Sequence, residues 1–235
     1  MTPDFAKFED SIGVAFKNKS ILREAFTHRS FLNETKEKGL AHNERLEFLG
    51  DAVLELVSTD FLFKKYPHEP EGVLTAYRAG LVNANILSDV ALKLSLGEML
   101  LLSKGEAKDI GKARQYILAN TIEALIGAIY LDQGYDTAKD FIAKYVLCLV
   151  DEVVEKGLWQ DSKSLFQEKA QDFYGITPNY KVLEEIGPDH EKMFRVGVFL
   201  DDKLMGEGEG RSKQDAEQVA AKKVLTEHEW KKAKK

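Results

Sequence analysis

Apolar residues recur at every third or fourth position from Phe5 to about Lys156, as they do at Leu46, Leu49 and Val53. Such spacing places apolar side chains on one face of an α-helix, where they can pack into a core. Because the spacing persists along most of this stretch, we expect an N-terminal region that is almost entirely helical.

The apolar spacing shortens to every second position between Thr177 and Gly206. Three segments with the sequences YKVLEEI, FRVGVFL and KLMGEG are typical of short strands, since alternate side chains of a strand point to opposite faces of its sheet. Turn-forming residues separate these segments at 187–189 (Gly-Pro-Asp) and at 201–202 (Asp-Asp). The pattern predicts a small antiparallel sheet.

Helical segments flank this predicted sheet. The first has the sequence SKSLFQEKAQDFYG, and the second, SKQDAEQVAAKKVLTEHEW, begins at Ser212, a residue type that caps helix N-termini. The resulting order is α-β-β-β-α, so the predicted fold class is an all-α N-terminal domain followed by an α+β C-terminal domain. We expect the domains to span 1–157 and 160–229, with residues 230–235 as a basic tail.

Composition restricts the kinds of protein that this chain can be. Of its 235 residues, 44% are hydrophobic and 31% are charged, which is enough apolar material for a core, and no apolar run reaches the length of a membrane span. Cys148 is the only cysteine, which excludes a disulfide within the chain and a cysteine-rich zinc site. The N-terminus lacks the pattern of a signal peptide. We therefore expect a cytoplasmic protein with no membrane partner.

Charge is unevenly distributed along the chain. The formal net charge is −6, which argues against a protein that coats nucleic acid indiscriminately. Residues 211–235 nevertheless carry eight Lys or Arg and four Asp or Glu, whereas residues 1–160 carry nineteen and twenty-four. The basic end is compatible both with a solvated tail and with phosphate contacts.

Three acidic residues, Glu44, Glu47 and Asp51, lie at positions i, i+3 and i+7 of the segment HNERLEFLGDAVLELV and so share one face of a helix. Like charges at this spacing cost an isolated helix roughly 0.2–0.5 kcal/mol per pair, and Gly50 costs roughly 1 kcal/mol relative to alanine. This unfavourable composition indicates a function, although a solvated acidic face is the structural alternative.

Glu123 stands in the apolar segment YILANTIEALIGAIYLD, where a helix would bury it. A buried carboxylate without a partner is costly, so it must be protonated, meet a cation or bind a metal. A distant arginine is one candidate partner, and a divalent ion shared with the acidic face is the other. Oxygen ligands without cysteine or suitably spaced histidine favour Mg²⁺ or Mn²⁺ over zinc, and Asn120, one turn earlier, can add its amide oxygen. A site of this kind suits phosphodiester hydrolysis.

The segment HNERLEFLGDAV, from His42 to Val53, resembles the signature of the ribonuclease III family. Residues 71–79 (EGVLTAYRA) resemble the second acidic segment of that family, and residues 117–132 resemble the third. The resemblance implies an endonuclease that cuts double-stranded RNA with Mg²⁺, or Mn²⁺ as a substitute, and leaves 5′-phosphate and 3′-hydroxyl ends. It implies no nucleotide cofactor.

The resemblance also implies roles for individual residues. The metal ligands would be Glu47, Asp51, Asn120 and Glu123, with Asp51 and Glu123 the most directly tied to catalysis and with Glu44 and Glu71 as auxiliary acids. The family usually has aspartate where this chain has Asn120. Asparagine can bind a metal through its side-chain oxygen, but it brings no negative charge.

The family acts as a homodimer in which two catalytic domains form a valley for the duplex. Phe48 matches an aromatic residue that packs into the partner subunit. Helical spacing by itself would place Phe48 in the core of its own domain. Both interpretations of Phe48 stay open at this point.

Residues 160–229 resemble the double-stranded-RNA-binding domain. Because A-form RNA hides its bases in a deep, narrow major groove, such domains bind phosphates and 2′-hydroxyls. The contacts implied by the resemblance are Gln167 and Glu168 on the first helix, His190 in the loop after the first strand, and Arg211, Ser212 and Lys213 at the start of the last helix. The family commonly has a second lysine where this chain has Gln214.

Three functions remain open from the sequence. The first is an endonuclease for double-stranded RNA, with ribosomal RNA precursors as the usual family target. The second is a protein that binds duplex RNA with weak or no cleavage, because Asn120 lowers its metal affinity. The third is a ribosome-associated structural protein built on the same folds.

Overall fold

The structure, a computed structural model, describes residues 3–108, 111–159, 161–187, 192–228 and 230. The chain divides into two compact units, residues 1–159 and 160–235. The first unit is helical and the second combines helices with a three-stranded sheet, which confirms the predicted fold class. No helix in these described ranges is both long and apolar enough to cross a bilayer.

The helices of the first unit form a single core around the two longest of them. They are α1 (Phe5–Ile12), α2 (Lys19–Ala25), α3 (Arg29–Leu32), α4 (Glu44–Lys65), α5 (Glu71–Leu81), α6 (Ala84–Lys93), α7 (Leu96–Met99), α8 (Lys112–Gln133), α9 (Tyr135–Tyr145) and α10 (Val150–Glu155). Short 3₁₀ turns lie at Glu106–Lys108 and Leu147–Leu149. Helices α4 and α8 have 22 residues each and pack against each other.

Helices α4 and α8 cross with their backbones in contact. A Cβ atom built on Gly50 would lie 1.7 Å from the carbonyl oxygen of Glu123, and one built on Gly127 would lie 2.2 Å from that of Leu46. Only glycine fits at both points, which explains why α4 contains Gly50 despite its cost to helix formation. The close approach places the acidic face of α4 next to α8.

Replacing Gly50 with alanine should strongly destabilise the first unit. The added methyl group meets backbone atoms that cannot rotate away, so we expect the free energy of unfolding to fall by about 3 kcal/mol or more. Gly72→Ala in α5 is the matched control, because its Cβ would meet no described atom within 4 Å. It should raise stability by up to about 1 kcal/mol. Urea unfolding followed by circular dichroism measures both variants, and equal stabilities would contradict the crossing geometry.

The second unit has the predicted order of elements. It contains α11 (Ser162–Tyr174), β1 (Asn179–Ile186), β2 (Met193–Leu200), β3 (Lys203–Gly210) and α12 (Lys213–Glu227). The strands pair antiparallel in the order β1-β2-β3. Ser212 caps α12 as predicted, since its Oγ accepts a hydrogen bond of 3.1 Å from the backbone N–H of Asp215.

Strand β3 is longer than the sequence predicted. The predicted third strand, KLMGEG, ended at Gly208, whereas β3 continues to Gly210. A Cβ atom on Gly208 would lie 2.3 Å from the backbone nitrogen of Ala220, and one on Gly210 would lie 2.5 Å from that of Ala216. Glycines at alternate positions therefore face α12 and allow the strand to approach the helix. A composition typical of loops serves here for close packing.

Trp230, which the sequence analysis grouped with the basic tail, packs against α11. Its ring centroid lies 5.8 Å from that of Phe166 and 5.5 Å from that of Phe173. The ammonium group of Lys169 lies 5.5 Å from the same ring. Residue 230 is therefore part of the packed unit, and residues 231–235 lie outside the described residues.

Candidate active site

Helices α4 and α8 bring the predicted acids together at their crossing. Glu47 and Asp51 belong to α4, and Asn120 and Glu123 belong to α8. The pKa of Glu123 is raised to about 8, first by burial and then by the negative charges of Asp51 and Glu47. The crossing thus holds three carboxyl groups within electrostatic range of one another.

Glu47 is half-buried and interacts with both helices. Burial raises the pKa of its carboxyl, as do the charges of Glu44 and Asp51, while a hydrogen bond from the side chain of Asn120 lowers it. Because an amide donates through its nitrogen, the side-chain oxygen of Asn120 remains available as a ligand.

No positive charge balances Glu123 within the described part of the chain. Every cause of its pKa shift raises the pKa, and no ion pair between described residues includes it. The ion pair with a distant arginine that the sequence left open is therefore not formed between these residues. The same residues contain no group of three or more His, Cys, Asp or Glu side chains that could hold a metal ion in their present conformations.

The raised pKa of Glu123 predicts a pH dependence of stability. A glutamate has an ordinary pKa of 4.5, and Glu123 titrates near 8 in the folded chain. Its contribution to stability is therefore present below about pH 4.5 and is lost as the pH rises through 8. In EDTA, we expect the free energy of unfolding of the wild type to fall by at least about 1 kcal/mol, relative to that of Glu123→Gln, as the pH rises from about 6 to 8.5. Thermal unfolding measures this difference, and parallel pH profiles would contradict the shift.

The two predicted auxiliary acids occupy different places. Glu44 begins α4, lies 3.6 Å from Nη1 of Arg29 through its Oε1, and raises the pKa of Glu47. Glu71 begins α5 and is not among the charges that shift the pKa of Glu47 or Glu123. Glu44 therefore borders the acidic cluster, and the structure of one chain does not bring Glu71 into it.

Phe48 does not pack in the core of its own unit. Its side chain is 81% exposed and lies beside a cavity of about 670 Å³ whose lining includes Ile21 and Leu131. Leu56 and Phe63, further along α4, are 58% and 69% exposed. We call Phe48, Leu56 and Phe63 the apolar surface of α4. A surface of this kind is typical of a contact with another protein chain.

The predicted RNA contacts lie at the surface of the second unit where the structure describes them. The exposed side chains are those of Gln167, Glu168, Arg211 and Lys213. Ser212 is half-buried because it caps α12, and Nζ of Lys213 lies 3.6 Å from Oε1 of Glu185. His190 lies outside the described residues. The start of α12 therefore presents two cationic side chains to solvent.

A polar cavity of about 390 Å³ beside the acids was not predicted. Its lining includes His28, Glu106 and Tyr116 together with Glu47 and Asn120. These residues come from separate segments, so no local motif indicates the cavity. The only sequence signal is the position of Tyr116 one turn before Asn120 in the same helix.

Two family models match the chain. Residues 18–149 match the model described as ribonuclease-III-like, and residues 162–228 match the double-stranded RNA binding motif. Together with the helical first unit and the sheet of the second, these matches define an endoribonuclease of double-stranded RNA.

Curated relatives extend the match over nearly the whole chain. Ribonuclease 3 of Carboxydothermus hydrogenoformans is 47% identical over 92% of this chain and 92% of its own length. Ribonuclease 3 of Bacillus licheniformis is 46% identical over 94% of this chain and 88% of its own length. This chain belongs to the ribonuclease III family, which depends on divalent metal ions.

A solved structure supports the fold of the first unit. The nuclease domain of ribonuclease III from Campylobacter jejuni is 41% identical, with a TM-score of 0.55. It covers 63% of this chain, and the match includes 97% of that domain. The first unit therefore has the fold of a ribonuclease III nuclease domain.

Proposed function

We propose that this chain hydrolyses double-stranded RNA at a Mg²⁺ site formed by Glu47, Asp51, Asn120 and Glu123, and that it leaves 5′-phosphate and 3′-hydroxyl ends. The observation that carries the proposal is the half-buried carboxyl of Glu123, whose pKa of about 8 results from burial and two neighbouring carboxylates. A divalent ion would balance these charges. The oxygen donors favour Mg²⁺, with Mn²⁺ as a substitute.

The donor set fits a hard divalent ion. Three carboxylates and one amide oxygen offer the ligand type that Mg²⁺ prefers, and the remaining positions can be filled by water and substrate phosphate. The present conformations do not converge on one point, so binding requires rotation of the carboxylate side chains. Such rotations between staggered conformations need no change in the helix backbones.

The residues of this site have different roles. When bound, a divalent ion supplies Lewis-acid activation of water and neutralises charge on the phosphate. Asp51 is exposed and so faces the side from which substrate arrives, whereas Glu123 is half-buried. Asn120 orients Glu47 through its hydrogen bond. We assign Asp51 and Glu123 the roles closest to the reacting phosphate.

Asn120→Asp tests the metal site and the binding-only alternative together. A fourth carboxylate adds negative charge to the donor set, so we expect the apparent Mg²⁺ affinity to rise about tenfold or more. Isothermal titration with Mg²⁺ and cleavage of a perfect duplex across a Mg²⁺ series measure the change. Asn120→Ser, which adds no charge, is the matched control.

Three results of this experiment have different meanings. Cleavage by the wild type that EDTA stops supports the proposed hydrolase. Cleavage that appears only after Asn120→Asp would show that the natural chain binds duplex RNA without cutting it. Intact duplex with the wild type in both Mg²⁺ and Mn²⁺, and with Asn120→Asp as well, would contradict the proposed metal site.

We also propose that the chain forms a homodimer through the apolar surface of α4. In a twofold dimer each surface patch contacts its own copy, so Phe48 of one chain can enter the 670 Å³ cavity of the other. The exposure of Phe48 beside that cavity supports the arrangement. The Campylobacter jejuni nuclease domain is described as having a region involved in dimer formation.

The second unit supplies affinity for duplex RNA, for which we propose contacts from Gln167, Glu168, His190 and the start of α12. Recognition of groove shape carries little base information, so structured RNAs such as ribosomal precursors are the proposed targets. We place the protein in the cytoplasm, because its single cysteine, Cys148, is exposed and unpaired in the described structure and suits a reducing compartment.

A further inference from the structure

The 390 Å³ polar cavity adjoins the position at which a scissile phosphate would be cut. Two of the proposed metal ligands, Glu47 and Asn120, form part of its wall. A phosphodiester held at those ligands is joined to a ribose on each side. One of these two sugars can reach the cavity, where the other wall residues are available to hold it.

His28 offers a hydrogen-bond donor to this cavity. Its Nδ1 accepts a hydrogen bond of 3.3 Å from the backbone N–H of Ser30 and lies 2.8 Å from Oγ of the same serine. Burial lowers the pKa of His28, so the ring is neutral at neutral pH. With Nδ1 used as an acceptor, the proton of the neutral ring resides on Nε2. The described residues provide no hydrogen-bond partner for that N–H.

Glu106 offers an acceptor on the same wall. Ser30 Oγ accepts a hydrogen bond of 3.0 Å from the backbone N–H of Ser103, whose own Oγ accepts one of 3.2 Å from the backbone N–H of Glu106. This chain of hydrogen bonds fixes the turn that carries Glu106 relative to His28. The carboxylate lies near enough to His28 to oppose the lowering of its pKa.

Tyr116 and Arg29 complete the rim of the cavity. Tyr116 is 57% exposed and stands one turn before Asn120, so its ring can pack against a sugar held there. Arg29 is 72% exposed and pairs only loosely with Glu44, at 3.6 Å. Its charge is therefore available to a backbone phosphate, a group that arginine contacts in many complexes with nucleic acids.

We infer that this cavity binds the ribose adjoining the scissile phosphate and that His28 and Glu106 together recognise its 2′-hydroxyl. A hydroxyl both donates and accepts a hydrogen bond, which matches one N–H donor and one carboxylate acceptor. The 2′-hydroxyl is the group by which a protein distinguishes RNA from DNA. The nuclease unit therefore selects RNA by itself, in addition to the RNA-binding unit. This inference rests on the proposed function.

The test uses the full chain and a short duplex with one mapped cleavage site. Two further duplexes carry a single 2′-deoxynucleotide, on the 5′ or the 3′ side of the scissile bond. For one of them we expect kcat/KM to fall about tenfold, which corresponds to a combined loss of about 1.4 kcal/mol from the two hydrogen bonds of the hydroxyl. Equilibrium binding of the same duplexes in EDTA, followed by fluorescence anisotropy, gives a readout that does not depend on cleavage.

Two variants test which residues form hydrogen bonds with the 2′-hydroxyl. Glu106→Ala removes the acceptor, and His28→Asn removes the Nε2 donor while keeping a side chain that caps α3 well. Each removes one of the two hydrogen bonds, so each should reduce the tenfold difference between the ribose and deoxyribose duplexes to about threefold. Glu98→Ala, an exposed acid outside the cavity, is the control and should keep the tenfold difference.

The possible outcomes separate this inference from the proposed function. If the wild type has the same kcat/KM and the same affinity for all three duplexes, the inference is overturned and the proposed hydrolase function is unaffected. A tenfold difference that survives in both Glu106→Ala and His28→Asn would also overturn it. If binding distinguishes the deoxy position but cleavage continues undiminished in EDTA, the cavity assignment stands and the proposed metal-dependent hydrolase fails.

Discussion

Replacing Glu123 with glutamine should lower kcat for duplex cleavage at saturating Mg²⁺ by about 10²–10³-fold, with duplex binding unchanged. Glutamine keeps the shape of the side chain and removes its charge, so the loss reports the electrostatic role of the carboxylate in the transition state. Glu123 belongs to α8 of the first unit and is not one of the RNA contacts proposed for the second unit, which is why binding should not change. Single-turnover cleavage and anisotropy measured on the same duplex give the two quantities.

Glu98→Gln makes the same chemical change at an exposed position outside the acidic cluster. It should leave kcat within about twofold of the wild type, since surface substitutions of this kind have small effects. A Glu123→Gln protein that cuts at a rate close to that of Glu98→Gln would remove Glu123 from the proposed site.

Phe48→Ala should weaken the proposed dimer by about 10³-fold in Kd. A buried aromatic anchor contributes about 2 kcal/mol or more to an interface, and a twofold dimer contains two copies of it. The combined loss of about 4 kcal/mol corresponds to three powers of ten. Sedimentation velocity over a concentration series measures the shift from dimer to monomer.

The control for this experiment is Leu92→Ala. Leu92 lies in α6 and is 59% exposed, but it is not part of the apolar surface of α4. It should leave the Kd unchanged. A wild type that sediments as a monomer at micromolar concentration, or equal effects of the two substitutions, would contradict the proposed interface.

Periodicity was sufficient to predict a helical first unit and a three-stranded sheet in the second, because it depends only on which faces are apolar. It also indicated that Glu123 needs a partner, since a carboxylate in an apolar helix is costly, with a metal ion shared with the acids of α4 or a distant arginine as the candidates. The cap at Ser212 was predictable for a similar reason, because it depends on the side chain and the backbone within one turn.

Other features could not be predicted because they depend on distances between separate segments. Gly210 looks like a loop residue, and Gly208 has no evident purpose in a strand, until the backbone of α12 is seen beside them. Phe48 fits a core position by spacing and a partner contact by family resemblance, and the arrangement of neighbouring helices decides that it faces outward. The cavity wall of His28 and Glu106 is joined through serine hydrogen bonds that span more than 70 residues of sequence.

The contact between Gly50 and the backbone of Glu123 also bears on ion selectivity. It sets the separation of the two halves of the proposed ligand set through main-chain atoms, which have no alternative rotamers. Ions of different radius must then be accommodated by the carboxylate side chains alone. Substitutions near this contact that leave the first unit folded should therefore first alter the order of its affinities for Mg²⁺, Mn²⁺ and Ca²⁺.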